Sequence, residues 1–219
     1  MSDGKRRHGA ERMPTQSAAA SRCGRRGLLM APLAALLGAL PAGAEETYRL
    51  NARLGTIEFS VSNFGLFASH GQFRQFTATF VLDVARPART RIAVDVDAAS
   101  LDMPWQDGAA LLRSADFFDV QHHPKVRFNS TSVEARGTGG YLVSGLLEMR
   151  GVTRPVALDA TLVGRHLDPD RRADVADFVV TGALQRSAFG MLTDRLFISD
   201  TVDITIRARL QLPAVTPAG

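Results

Sequence analysis

Cysteine is almost missing from this 219-residue chain: Cys23 stands alone, so no disulfide framework and no cluster of cysteine metal ligands can hold the fold. Tryptophan occurs once and tyrosine twice, against 12 phenylalanines. A barrel in an outer membrane carries aromatic girdles at both interfaces, and three such residues are too few to build them. No apolar run reaches the roughly 20 residues that a spanning helix needs. The G-x-S-x-G elbow, the phosphate-cradling G-x-x-x-x-G-K-[ST] loop and H-E-x-x-H are all absent, which removes common signatures of hydrolases, nucleotide-binding enzymes and zinc proteases. The expectation is a protein that is not an enzyme, with no catalytic residue, no cofactor and no metal site.

The first residues carry an export signal. Arg22, Arg25 and Arg26 precede an apolar run of 13 residues from Leu28 to Leu40, and Ala42-Gly43-Ala44 fits a small-residue cleavage site. A basic start, a short apolar core and small residues make a secretory signal peptide. Arg25-Arg26-Gly27-Leu28-Leu29 also has the form of a twin-arginine signal, and both export routes stay open. The expected division is a signal over 1–44, one domain over 45–212 and a frayed tail over 213–219, with the mature protein in the periplasm and no permanent membrane span.

Removing the signal changes the charge. Of the 26 bases and 22 acids, residues 1–44 hold seven and two, which leaves 19 bases against 20 acids, a net charge of −1. The high isoelectric point of the whole chain therefore belongs to the leader and points to no nucleic-acid partner.

Period-two alternation dominates the remainder. Apolar residues alternate with polar ones around Ile57–Val61, Phe76–Leu82, Ile92–Val96, Val126–Phe128 and Val202–Leu210. Successive side chains on a strand face opposite ways, so this is the pattern of half-buried strands. Turn signals at Arg86-Pro87-Ala88, Arg136 to Gly140, Gly151 to Pro155 and Leu167 to Asp170 mark off three more, Tyr141–Met149, Val156–Val163 and Phe178–Leu184. Many short strands with regular turns predict a sandwich or barrel. Asp107 to Phe118 breaks the alternation and reads as a helical insert, with Asp107 capping a helix from Gly108 and Ser114 capping a second turn.

The remaining motifs favour plain readings. His122 and His123 are adjacent on an extended segment and point apart, so they make poor co-ligands. Asp168, Asp170, Asp174 and Asp177 miss the spacing of a calcium loop. The phenylalanines have no polar handle and suit a wholly apolar lining, although composition by itself favours the plainer use, a filled core.

Ordered motifs add a resemblance. Gly71-Gln72-Phe73-Arg74-Gln75-Phe76, Ala99-Ser100-Leu101-Asp102, Leu112 to Phe118 (L-R-S-A-D-F-F), Pro124 to Thr131, Gly145 to Val156, Arg186 to Met191 and Ile198 to Val202 follow one another as in the YceI-like family of exported polyisoprenoid-binding proteins. The chain resembles that family from about Tyr48 to Leu212. The resemblance implies an all-β fold: an eight-stranded antiparallel lipocalin-like barrel with a short helical insert around residues 107–118. It also implies a long-chain isoprenoid or fatty lipid as partner, held for storage, transport or sequestration. Alternation and the insert assign Phe59, Phe76, Phe80, Leu112, Phe117, Phe118, Phe128, Phe189 and Met191 to an apolar tunnel. The motifs assign Arg113, Ser114, Arg186 and Ser187 to its polar mouth. Gly108-Ala109-Ala110-Leu111 replaces a polar stretch common in the family, and Asn63 replaces its early histidine, which makes the mouth less polar. The second reading is a filled-core barrel that serves a membrane redox or stress-response partner. A homodimer is compatible with either.

Overall fold

The computed structural model describes residues 46–51, 53–83, 86–168 and 173–212, so the expected signal over 1–44 and the tail over 213–219 lie outside the described residues. In chain order the strands are β1 (Glu46–Asn51), β2 (Gly55–Asn63), β3 (Phe67–Phe73), β4 (Phe76–Leu82), β5 (Arg91–Asp97), β6 (Leu101–Asp102), β7 (Lys125–Arg136), β8 (Gly140–Met149), β9 (Val152–Asp168), β10 (Ala173–Gln185) and β11 (Ile198–Leu212). They form one antiparallel sheet in the order β1-β4-β5-β7-β8-β9-β10-β11-β2-β3-β6. Among the described residues one α-helix, α1 (Gln106–Arg113), interrupts them.

The described strands number eleven, which corrects the expected eight. The eight alternating runs are β2, β4, β5 and β7 to β11. The additional strands are β1, β3 and β6, and two of them explain why alternation misses them. On the inward face of β3 Ser69 and Gly71 separate Phe67 from Phe73, so the apolar alternation is interrupted. β6 has two residues, too few for any period. Consecutive strands β1 and β2 pair with different neighbours, β1 with β4 and β2 with β11. The segment Glu46–Asn63 thus links both flanks of the run β4 to β11 and curls the sheet, so that apolar side chains from nine strands meet on the concave face.

Local chemistry shapes this frame. The β7–β8 hairpin closes Arg136 on Gly140, and Gly137 and Gly139 supply positive φ, as the glycine-rich stretch foretold. The next turn lies at Arg150-Gly151, both at positive φ, so β9 begins at Val152 and contains Pro155, whereas a turn was expected as far as Pro155. At Pro155 the strand is paired with β8 alone, because β10 joins it only from Asp159 onward. A residue without an N–H is tolerated beside such an open side. β9 and β10 also extend to Asp168 and from Ala173, and shorten the expected long polar loop.

The helix of the insert begins two residues earlier than expected. Trp105, with no capping hydrogen bond from its side chain, precedes α1, and Asp107 lies in the first helical turn, where its charge complements the helix N-terminus. Ser114 ends α1 through a backbone bond to Leu111. Its hydroxyl is buried and without a hydrogen-bond partner among the described residues, so neither expected side-chain cap is made.

Candidate ligand cavity

The concave face of the sheet surrounds a cavity of about 880 Å³, within the size range of pockets that enclose small organic ligands. A solidly filled core, the second reading of the sequence, is therefore not what the interior holds. Alternation builds the walls. Phe76, Ala78 and Phe80 of β4 face Val94 and Val96 of β5. Val126 and Phe128 of β7 continue the wall toward Val143 and Leu147 of β8. Ile204 and Ile206 of β11 close it opposite.

Two close approaches explain two motif glycines. Phe59 of β2 pairs with Gly71 of β3, and its ring lies so near that a Cβ on Gly71 would stand 2.2 Å from Cζ. The Phe128 ring crosses β8 at Gly145, where a Cβ would stand 2.4 Å from it. Both rings line the cavity. Phe59 lies tilted against Phe73 at 5.7 Å, and Phe73 meets Phe118 edge-on at 5.6 Å, the latter an arrangement aromatic quadrupoles favour.

Eight of the nine residues assigned to the apolar tunnel stand on the cavity wall: Phe59, Phe76, Phe80, Leu112, Phe117, Phe118, Phe128 and Met191. Phe189 does not. It lies in the 3-10 turn Arg186–Phe189, where strand alternation gives no direction, and is buried in the core at 2% exposure.

The residues assigned to a polar mouth have other contacts. Arg113 donates through Nε to the Ala99 carbonyl at 3.0 Å and through a second nitrogen to that of Leu101. Arg150 likewise binds the carbonyls of Ala115 and Phe117. These motif arginines fasten the insert across the sheet end. Arg113, Ser114 and Ser187 are not on the wall. Arg186 is, yet only 4% of it is exposed. Its guanidinium donates to the carbonyls of Ser199 (3.0 Å), Met191 (3.1 Å), Thr193 (2.7 Å) and Ile198 (3.0 Å). Burial pulls its pKa down, while Asp200 acts the other way. Ser187 donates its N–H and hydroxyl to the Asp200 carboxylate at 2.8 and 2.6 Å, and the hydroxyl bond above all holds that carboxyl below the ordinary aspartate range. The side chains of Arg113, Arg186 and Ser187 thus bind the chain's own groups, which motif matching cannot distinguish from ligand binding, while the Ser114 hydroxyl has no hydrogen-bond partner among the described residues.

Sequence reasoning missed other wall residues. Asn63 donates to buried Ser69 at 2.5 Å, and both reach the cavity, so the position that lost the family's histidine keeps a polar contact. Asp83, buried at the far end of β4, accepts from the Arg86 N–H and Nε, both at 2.9 Å. Asp83 follows Leu82 directly and breaks the alternation, so period gave no sign of it. Trp105 and Phe197 also line the cavity from segments without period.

Comparison with known proteins agrees with this geometry. The family model described as the YceI-like domain matches residues 48–210. A UPF0312 protein of Serratia proteamaculans is 35% identical over 150 residues, which span 68% of this chain and 77% of that one. UPF0312 protein ECA1782 of Pectobacterium atrosepticum is 32% identical, over 74% of this chain and 84% of its own. Among solved structures, Burkholderia cenocepacia BcnA superposes with a TM-score of 0.63 at 22% identity, covering 71% of this chain and 95% of that one. A polyisoprenoid binding domain from Saccharophagus degradans, implicated in plant cell wall breakdown, superposes at 0.54 with 13% identity over 78% of this chain and 100% of its own.

Proposed function

The chain belongs to the YceI-like domain family, and from that premise we propose that it is a binding protein that carries a long-chain isoprenoid or similar amphiphilic lipid in its cavity. The observation that carries the reading is a cavity of about 880 Å³ whose wall is made by the apolar face of nearly every strand. The fold is read as a lipocalin-like barrel that holds one extended ligand. The solved polyisoprenoid binding domain of the same fold supports the ligand class.

The energetics suit a tail-led ligand. Burying about 15 to 20 methylene carbons at ~0.8 kcal/mol each gives roughly 12 to 16 kcal/mol. That offsets an association cost of about 4 to 15 kcal/mol without a strong clamp on the head. Asn63, Ser69 and Asp83 are among the polar groups available to the head, and Phe59, Phe80, Phe118 and Phe128 are rings that meet the tail. Among the described residues no helix is long and apolar enough to cross a membrane. Export through the signal over 1–44 would place the carrier in the periplasm, for storage, transport or sequestration of its lipid.

The test is lipid retention. Organic extraction of the purified protein followed by mass spectrometry is expected to release a long-chain lipid in molar proportion. Phe128→Asp puts a charge on the wall, where an unpaired charge costs several kcal/mol. Arg127→Asp puts it on the exposed face of the same strand. Retention should fall in the first and persist in the second, with a native β spectrum required of both. Equal retention in a folded Phe128→Asp protein would sink the proposal, because the concave face would then not be the binding face.

A further inference from the structure

The cavity wall continues outward as an exposed apolar rim. Among the described residues eleven large hydrophobic side chains are exposed, and eight of them sit on three segments: the β2–β3 turn, α1 with Trp105, and the stretch between the Arg186–Phe189 turn and β11. Ile198 pairs with Asn63, so the first and third segments share one end of the sheet. The Phe64 ring lies tilted against that of Phe197 at 5.2 Å, and the Phe64 N–H donates to the Phe197 carbonyl at 2.7 Å. Phe64, Phe67, Trp105, Leu111 and Phe197 each line the cavity while remaining about half exposed or more. At each of these residues apolar surface that lines the cavity is also exposed to the outside.

Local stability does not account for these residues. Phe64 and Gly65 occupy the two central positions of the turn with φ of 51° and 66°. Asparagine or glycine fits the first of these, whereas a bulky aromatic there is a strained outlier. Nonetheless phenylalanine holds it at 65% exposure. On the opposing segment Leu196 is 91% exposed, and the buried Arg186 guanidinium binds carbonyls at Met191, Thr193 and Ile198. That anchorage holds the segment against folding back over its own apolar side chains. Strain kept at an exposed apolar tip points to something the tip meets, and a contiguous apolar patch of this kind marks a contact surface.

We infer that this rim docks on a lipid bilayer, inserting Phe64, Phe67, Leu196 and Phe197 among the acyl chains, so that the cavity opens directly into the membrane. The inference rests on the lipid-carrier reading: a ligand of negligible solubility in water has to leave and rejoin a lipid phase, and the rim is where cavity and surface are one apolar surface. Residues 45–219 hold 19 bases against 20 acids, so attachment depends on apolar insertion and not on anionic head groups.

Trp105 is the only tryptophan and lines the cavity while about half exposed, which gives the full chain a native probe. Vesicles of phosphatidylcholine brominated on the acyl chains are expected to quench its emission by half or more, with little change from low to high salt. Emission should recover when the vesicles are removed. Phe64→Asn combined with Leu196→Asn should lower vesicle quenching at least tenfold at equal lipid, without lowering the thermal midpoint, since asparagine suits the turn. Absent quenching, unchanged quenching in the double variant, or quenching that fully persists after the vesicles are removed would overturn the inference; the last would mean brominated lipid lodged in the cavity. A wild-type dimer that the double variant makes monomeric would assign the rim to a second copy and overturn it equally. Uptake of a fluorescent prenol from detergent micelles tests the cavity separately. Uptake without vesicle quenching refutes the rim alone, and reversible quenching without uptake refutes the cavity alone.

Discussion

Replacing Gly71 with alanine adds one methyl group in the path of one aromatic ring. The three atoms nearest the new Cβ, at 2.2, 2.7 and 2.9 Å, all belong to the Phe59 side chain, and Phe59 has the cavity beside it. The ring can swing into that space, so the strain is relieved by losing cavity volume. Exchanging glycine for alanine in a strand also recovers about 0.5–1 kcal/mol of backbone entropy. The net change in stability should stay within about 1 kcal/mol, while ligand retention falls by tenfold or more. Gly145→Ala is the control. Its Cβ would meet the Phe128 ring at 2.4 and 2.5 Å and also the Asn129 backbone carbonyl at 2.6 Å. Backbone in a paired strand cannot step aside, so overpacking should cost about 1–3 kcal/mol. Urea melts monitored by circular dichroism give the stabilities, and lipid carried through purification gives the retention. A Gly71→Ala protein that is strongly destabilised, or that keeps its full lipid load, would refute the account of Phe59 as a movable wall.

Two further outcomes follow from the same contacts. Arg186→Met should lower stability by about 3 kcal/mol, because buried carbonyls that lose a charged donor each cost about 1–3 kcal/mol and the costs are not additive. Arg186→Lys should recover only part of this, since an ammonium cannot span the carbonyls from Met191 to Ser199 that the guanidinium joins; urea midpoints of both variants check it. The Asp200 carboxyl is held below the ordinary aspartate range, first by the Ser187 hydroxyl. A depressed folded pKa contributes stability above the unfolded value and loses it as pH falls through the folded one, so the segment near Arg186 should loosen only below about pH 4. Amide exchange of Ser187 and Thr201 between pH 3 and 6 should show the change in wild type and not in Asp200→Asn.

Much of the wall was legible in the chain itself. Along a strand every second residue faces the same side, so Phe76, Ala78 and Phe80, or Val126 and Phe128, declared a shared face before any partner strand was known. The same rule failed where period is absent. Phe189 sits in a 3-10 turn and turns into the core, and Trp105 and Phe197 reach the cavity from segments whose direction only packing sets. β3 was hidden because Ser69 and Gly71 interrupt its inward face between Phe67 and Phe73, Gly71 being small so that Phe59 can lie across it. Eight of the eleven described strands, and which of their faces is apolar, were thus determined by sequence, through a backbone geometry that acts over a few residues. Whether that face encloses a filled core or an open cavity, and whether Arg113 and Arg186 meet a ligand or the chain's own carbonyls, was decided only by the tertiary structure. The reason is physical: curvature, cavity and hydrogen-bond partner depend on residues tens of positions apart, as when the ends of Glu46–Asn63 pair with β4 and β11, and no local pattern encodes that meeting.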